Sequence, residues 1–140
     1  MNSDMIVCGV DNTETRIYTS KWATKHSIPA VFTAVSENGG LGYVFVQEPG
    51  KACFGCAFPA SVGDVKEPCP GVPAIKDILK LLSGFSLYAI DSLLMDRKRN
   101  WNLRVVYLAG FVPDVCRIVR PNPKCPLCGD NASTGDVEIG

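Results

Sequence analysis

The stretch Cys53-Phe54-Gly55-Cys56 decides how the chain is organised, because it has a counterpart in Cys125-Pro126-Leu127-Cys128 near the other end. Each stretch is a C-x-x-C motif, and the two residues between the cysteines allow both sulfurs to turn toward one point. Two such motifs supply four sulfurs, which complete the tetrahedral shell of a structural Zn²⁺. We therefore predict a zinc site whose ligands are Cys53, Cys56, Cys125 and Cys128.

The distance between the two motifs along the chain is unusually long. Residues 57–124 separate them, whereas the two pairs of a zinc ribbon are about 15–20 residues apart. The metal would therefore not organise a small finger. It would tie the end of the domain to its middle, with a sizeable fold between the two motifs.

Three other chemistries are compatible with the cysteines. Two redox-active C-x-x-C motifs are one, although neither motif lies in the strand-then-helix setting of a thioredoxin site. Disulfides are another, although nothing in the sequence indicates secretion. A rubredoxin-like iron centre is the third, since an S₄ site does not by itself distinguish zinc from iron; the long spacing favours zinc.

Length and composition limit the remaining possibilities. The chain has 140 residues and a formal net charge of zero, which predicts one domain and no electrostatic footprint for nucleic acid or an anionic membrane. The start, Met1–Asp4, lacks the basic residues of a signal peptide, and the apolar stretch Ile78–Met95 contains charges that argue against a membrane span. Seven cysteines without a secretion signal indicate a reducing compartment, so we expect a cytoplasmic protein.

The first part of the chain predicts a strand–helix–strand unit. Met5–Val10 is a short apolar run typical of a buried strand, and Thr13 is a suitable N-cap for a helix from about Glu14 to His26. Pro29 opens the next strand, Ala30–Val35. Two strands joined through a helix are expected to be parallel, and ligands of such sheets bind at the carboxyl ends of the strands.

The rest of the chain predicts a mixed α/β sheet. Leu41–Gln47 follows a glycine-containing turn and has the pattern of a strand, and Ala74–Leu94 has helical apolar periodicity, with Gly84 as a position that either interrupts the helix or is tolerated. Leu103–Leu108 and Val115–Val119 predict two antiparallel strands. The sequence contains no G-x-G-x-x-G and no Walker A loop.

This order of elements and motifs resembles the ThiF/MoeB/HesA superfamily of ubiquitin-activating-enzyme-like adenylyltransferases. The residues that carry the resemblance are Cys8-Gly9-Val10-Asp11-Asn12 with Arg16, Cys53–Pro59, Gly71-Val72, and Arg120-Pro121 with Cys125 and Cys128. The resemblance implies a Rossmann-like partial parallel or mixed sheet that corresponds to the C-terminal half of the family's domain. It assigns residues 1–129 to that half and leaves 130–140 as a flexible tail.

The resemblance also implies roles for individual residues. Family members use ATP and Mg²⁺ to adenylate the C-terminal glycine of a ubiquitin-like sulfur carrier protein. Asp11 matches the aspartate that helps to place Mg²⁺ and the ATP phosphates, and Asn12 and Arg16 match the same motif. Cys69 lies near the position of a thiol that accepts the activated carrier, although its spacing from Gly71 differs from the family pattern. From the residues alone, Asp11 as a helix-capping residue and Cys69 as an ordinary loop cysteine stay open.

Two expectations follow for the chain as a whole. Because the family's glycine-rich nucleotide loop has no counterpart in the sequence, we expect the chain by itself not to adenylate a carrier; the alternative is a non-catalytic zinc module for interaction or dimerisation. Because Leu79, Leu82, Phe85, Leu87, Ile90 and Leu94 surround the predicted helix, we also expect a homodimer that buries it.

Overall fold

The computed structural model describes residues 4–10, 12–35, 40–59, 76–95 and 97–129. Five strands form one sheet in the order β1-β2-β3-β4-β5. They are β1 (Ile6–Cys8), β2 (Ala30–Val35), β3 (Leu41–Gln47), β4 (Leu103–Tyr107) and β5 (Val115–Arg117). The pair β1–β2 is parallel and the other three neighbouring pairs are antiparallel, so the predicted α/β class with a mixed sheet is confirmed.

Three helices belong to the described residues: α1 (Thr13–His26), the single turn α2 (Phe54–Ala57) and α3 (Lys76–Leu94). The prediction that Thr13 caps α1 is wrong. Asn12 is the N-cap: its backbone is extended, and its side chain accepts a hydrogen bond from the Thr15 amide. An asparagine amide oxygen serves this position at least as well as a threonine hydroxyl, and it leaves Thr13 as the first helical residue.

Alternation along the strands gives the sheet two apolar faces. On one face, Phe32 and Phe45 pack with Ala23 of α1 and Phe54 of α2. On the other face, α3 covers β2, β3 and β4, and its residues Ile78, Leu82 and Ala89 are buried there. The two C-x-x-C motifs therefore lie on the α1 side of the sheet, and α3 covers the opposite side.

Helix α3 lies very close to β3 at a strand glycine. A Cβ on Gly42 would lie 2.6 Å from Leu82 Cδ1 and 3.1 Å from the Ala34 carbonyl oxygen, so the absence of a side chain allows the close approach. The helix also continues unbroken through Gly84. The alternative that Gly84 divides the segment into two short helices is therefore excluded. No helix of the described residues is long and apolar enough to cross a membrane.

Candidate functional site

The four cysteines of the two C-x-x-C motifs come together in space. The Sγ atoms are separated by 3.8 Å for Cys53–Cys56, 3.5 Å for Cys53–Cys125 and 3.4 Å for Cys56–Cys128, and all four lie within 4.8 Å of one another. These separations are too long for disulfides, whose S–S bond is about 2.05 Å. A tetrahedral metal with Zn–S bonds of about 2.3 Å places its sulfurs about 3.8 Å apart. The donor set and its spacing therefore fit one metal ion.

The first motif is shaped by the short helix α2. Cys53 is its N-cap, and the Cys53 carbonyl accepts hydrogen bonds from the amides of Cys56 (3.0 Å) and Ala57 (3.2 Å). This single turn brings the two sulfurs of the motif to the same side. Phe54 points away from them into the core, where its ring lies 5.2 Å from that of Phe32. The apolar residue inside the motif thus anchors the ligands to the sheet.

The second motif closes on the first through contacts that only glycine permits. A Cβ on Gly55 would lie 2.8 Å from Leu127 Cγ and 2.9 Å from Cys125 Sγ. A Cβ on Gly129 would lie 2.4 Å from the Pro123 carbonyl oxygen and 2.5 Å from the Cys125 amide nitrogen. Gly55 is therefore required by the packing of the first turn against the second, and Gly129 by the tight winding of the second turn on itself.

Backbone amides in the second motif and just before it point at the sulfurs. The Asn122 amide donates to Cys56 Sγ and the Leu127 amide donates to Cys125 Sγ, each at 3.4 Å. Amide donors of this kind stabilise thiolates, which are the form of cysteine that binds metal. The geometry is therefore that of a thiolate site.

Burial and hydrogen bonding act in opposite directions on the pKa values of the clustered thiols. Burial raises the pKa of Cys53 well above its usual range, and burial is also the main reason that the pKa of Cys128 is raised to about 12. Burial acts upward on Cys56 too, but hydrogen bonds from backbone amides and neighbouring thiols hold its pKa below the usual value. Four thiolates in one partly buried cluster need a cation, which a divalent metal would supply.

A buried amide that sequence reasoning missed connects the first motif to α1. Gln47, at the end of β3, is 3% exposed. Its Oε1 accepts from the Ser20 hydroxyl (2.6 Å) and from the Phe54 amide (2.9 Å), while its Nε2 donates to the Ser20 carbonyl (3.1 Å) and Thr24 Oγ1 (3.2 Å). Every polar atom of the side chain is used, so Gln47 fixes the position of the turn that carries Cys53 and Cys56.

A second buried amide serves the chain that leads to the second motif. Asn102, just before β4, donates from Nδ2 to the Val119 carbonyl (2.9 Å) and accepts at Oδ1 from the Val119 amide (2.7 Å). The side chain imitates a strand neighbour and holds the backbone beyond β5 in place. In sequence the only signal for either residue is a lone amide beside an apolar strand, which is equally typical of a surface position.

The residues assigned to nucleotide chemistry follow β1. Asn12 Oδ1 accepts from the Thr15 amide at 2.7 Å, so its side chain starts α1. Arg16 Nη2 donates to the Val10 carbonyl at 2.8 Å, which ties α1 to the end of β1. Arg16 Nε is buried and has no hydrogen-bond partner among the residues that the structure describes. The assigned residues Asp11 and Cys69 lie outside the described residues, so the predicted roles in nucleotide and thiol chemistry stay predictions.

The chain has a mixed sheet between two helical layers and a four-cysteine cluster that joins its middle to its end. These features define an α/β domain with a candidate metal site. The ThiF family model matches residues 1–127, and the chain belongs to the ThiF family. The resemblance to this family is thereby confirmed. The chain is also 28% identical over 130 residues to ubiquitin-like modifier-activating enzyme 5 of Drosophila willistoni, and the match covers 87% of this chain and 32% of that protein.

Solved structures share the fold at low sequence identity. E. coli MccB crystallised with MccA matches with a TM-score of 0.70 and 10% identity over 92% of this chain and 40% of MccB. A heterocyclase in complex with substrate and cofactor matches with a TM-score of 0.66 and 12% identity, over 91% of this chain and 21% of that protein. The chain therefore spans well under half the length of each of these relatives.

Proposed function

We propose that this chain forms the zinc-bearing portion of a ThiF-type enzyme that adenylates the C-terminus of a ubiquitin-like sulfur carrier protein. The observation that carries the proposal is the half-buried guanidinium of Arg16. Its Nη2 donates to the Val10 carbonyl just after β1, and its buried Nε has no hydrogen-bond partner among the described residues. A buried cationic donor without a partner, next to the family's aspartate motif, is suited to an anionic ligand such as a nucleotide phosphate.

The residues around β1 would divide the work as follows. Bound ATP and Mg²⁺ would supply the activated phosphate. Asp11 would offer the carboxylate oxygens that a hard cation prefers, and Arg16 would neutralise phosphate charge. Asn12 would keep the start of α1 in place through its bond to Thr15. Cys69 would be the thiol that accepts the activated carrier.

The cysteine cluster would have a structural role in this enzyme. Four protein ligands leave no open position on a tetrahedral zinc ion, which is the hallmark of a structural site rather than a catalytic one. Held by Cys53, Cys56, Cys125 and Cys128, the metal would fix the end of the domain against its middle. A reducing, cytoplasmic setting would keep these thiols available for zinc.

The comparisons support a small protein as the partner. The name of the Drosophila willistoni relative specifies a ubiquitin-like modifier, and MccB was crystallised with MccA. A sulfur carrier with a ubiquitin-like fold belongs to the same class of small protein substrates. The carboxylate of its C-terminal glycine would be the group that is adenylated.

The test is ATP–pyrophosphate exchange in the presence of a ubiquitin-like sulfur carrier. This chain alone should show no exchange, because the nucleotide loop must come from another segment or subunit. The full-length protein that includes this chain should show exchange, and Asp11→Ala should abolish it. Cys69→Ala should leave exchange intact and prevent thioester formation. Robust exchange by the chain alone, or full activity of Asp11→Ala, would refute the proposal.

The proposed enzyme is a homodimer. Helix α3 buries Ile78, Leu82 and Ala89 but leaves Leu87 61% and Leu94 59% exposed, and Met95, which follows the helix, is 68% exposed. Exposed apolar residues of this size on one helix are suited to a twofold interface. Light scattering should give a dimer mass at micromolar concentration, and a monomer mass that is unchanged over a tenfold rise in concentration would exclude the dimer.

A further inference from the structure

A groove runs between α3 and the segment that enters β4. It has a volume of about 580 Å³ and is lined on the helix side by Lys80, Gly84, Phe85 and Tyr88, and on the other side by residues 98–101 and Arg104. It lies on the face of the sheet that α3 covers, opposite the cysteine cluster. Its size is that of a binding site for a small ligand or a short peptide segment.

The charge of the groove is one-sided. Its described lining residues include Lys80, Lys98, Arg99 and Arg104 and no aspartate or glutamate. Arg99 is already paired with Glu48. By contrast, Lys80, Lys98 and Arg104 make no ion pair within the described ranges. Lys80 lies on one wall of the groove and the other two on the opposite wall, so the unpaired charge is spread along both sides.

The helix side of the groove contains a glycine that the fold does not require. Gly84 lies in the middle of α3, where glycine costs about 1 kcal/mol relative to alanine. A Cβ at this position would meet nothing within 4 Å, in contrast to Gly42, Gly55 and Gly129. Because Gly84 has no side chain, the groove is open at this position. Another molecule can therefore approach the backbone of α3 closely.

The aromatic residues of the groove are partly covered by arginines. The Arg104 guanidinium lies 4.2 Å from the Phe85 ring centroid and 5.5 Å from that of Trp101, and the Arg97 guanidinium lies 5.0 Å from that of Tyr88. Nucleic-acid bases would need these ring faces for stacking, and the zero net charge of the chain also argues against a polyanion. Acidic side chains, in contrast, can pair with the arginine while it remains on the rings.

We propose that this groove binds an extended acidic segment of a partner protein, with an apolar side chain of that segment seated over Gly84. Side chains of an extended segment alternate in direction. An apolar residue and an acidic residue two positions away can therefore face Gly84 and Lys80 on the helix side, while the acidic residue between them faces Lys98 and Arg104 on the other side. The groove includes none of the residues assigned to nucleotide or metal. It shares α3 with the proposed dimer interface, but Leu87 and Leu94 are not among its lining residues.

Selection from a displayed library of random peptides against the intact chain tests the proposal. Enriched peptides should be rich in aspartate and glutamate around a leucine or an aromatic residue. By fluorescence anisotropy, Gly84→Leu should reduce the affinity of an enriched peptide at least tenfold by filling the groove, and Arg104→Glu should reduce it by a similar factor. Lys25→Ala, which removes an exposed lysine from α1, is the matched control and should bind as the wild type does.

Three results would overturn the proposal. The first is a selection that enriches no peptide, or only basic or uncharged ones. The second is binding that Gly84→Leu leaves unchanged while its melting curve shows a folded protein. The third is displacement of the peptide by a single-stranded oligonucleotide, or by raising the concentration of the chain itself, which would assign the groove to nucleic acid or to a second copy.

Discussion

The two faces of the sheet are closed in different ways. On the α1 face, two turns with little secondary structure are held by four cysteines and by the buried amides Gln47 and Asn102. On the α3 face, one long helix covers the strands with apolar side chains, and a hydroxyl pair, Thr33–Ser86 at 3.0 Å, links it to the sheet. The α1 face therefore adds the cysteine cluster and directional hydrogen bonds to its apolar core, while the α3 face depends mainly on apolar burial.

The largest effect should come from removing a ligand of the metal. Cys125→Ser leaves three sulfurs and two turns without their common anchor, and we expect a loss of more than about 4 kcal/mol in the free energy of unfolding. Cys116→Ser is the matched control, because Cys116 is an exposed cysteine on β5 outside the cluster, and it should change stability by less than about 0.5 kcal/mol. Chemical denaturation of the two variants measures the difference; equal stability would mean that no metal anchors this face.

On the α3 face, the largest effect should come from Leu82→Ala. Leu82 is 1% exposed, and truncation of a buried leucine costs about 2–5 kcal/mol. Leu87→Ala on the same helix, measured in dilute solution, should cost little, because that side chain is 61% exposed. Leu82→Ala should also leave the zinc content unchanged. Loss of metal from this variant would show that the two faces are not independent.

Gln47→Leu should affect the α1 face in a way that no change on the α3 face reproduces. The substitution keeps the size of the side chain but removes the acceptor of the Ser20 hydroxyl and leaves the Phe54 amide only its longer bond to Ser20 Oγ (3.3 Å). We expect a cost of about 2–3 kcal/mol. Zinc should also dissociate faster, since the turn that carries Cys53 and Cys56 loses its support. Thr33→Val, the corresponding change on the α3 face, should cost about 1 kcal/mol. Transfer of zinc to a chromogenic chelator measures the rate, and identical rates for the two variants would contradict the role of Gln47.

A smaller, pH-dependent effect is expected at Glu48. Burial raises the pKa of this carboxyl, but the hydrogen bonds and charges of Arg99 and Lys51 outweigh it and hold the pKa below the ordinary 4.5. A lowered pKa contributes stability that is present above the unfolded value and lost as the pH falls through the folded value. Glu48→Gln should therefore cost about 1 kcal/mol at neutral pH, and the difference from the wild type should shrink below pH 4.5. A constant difference across this range would exclude the ion pair as its cause.

The smallest effect is a gain in stability. Gly84→Ala should raise the free energy of unfolding by up to about 1 kcal/mol, because α3 gains helix propensity and the new Cβ meets no other atom. Gly42→Ala should have the opposite sign, since its Cβ would lie 2.6 Å from Leu82 Cδ1. Thermal melting of both variants compares them, and destabilisation by Gly84→Ala would mean that the fold itself requires this glycine.

Much of this contrast could be predicted from the sequence. The apolar run after Pro29 and the run after the glycine turn predicted β2 and β3 with the bounds that the structure has. The cysteine spacing correctly indicated that the end of the chain returns to its middle. Local patterns could not identify Gln47, because its partners Ser20 and Phe54 are brought to it only by the packing of α1 and the register of β3. The start of α1 was misplaced by one residue, since Asn12 and Thr13 are both good capping residues.

The metal content of the purified chain tests the central claim most directly. Elemental analysis should find about one zinc per chain, and X-ray absorption at the zinc edge should show four sulfur neighbours at about 2.3 Å. Cys125→Ser should lose the metal, while Cys116→Ser should retain it. Iron in place of zinc, or a metal-free protein whose four thiols all react with a thiol reagent without unfolding, would contradict the account.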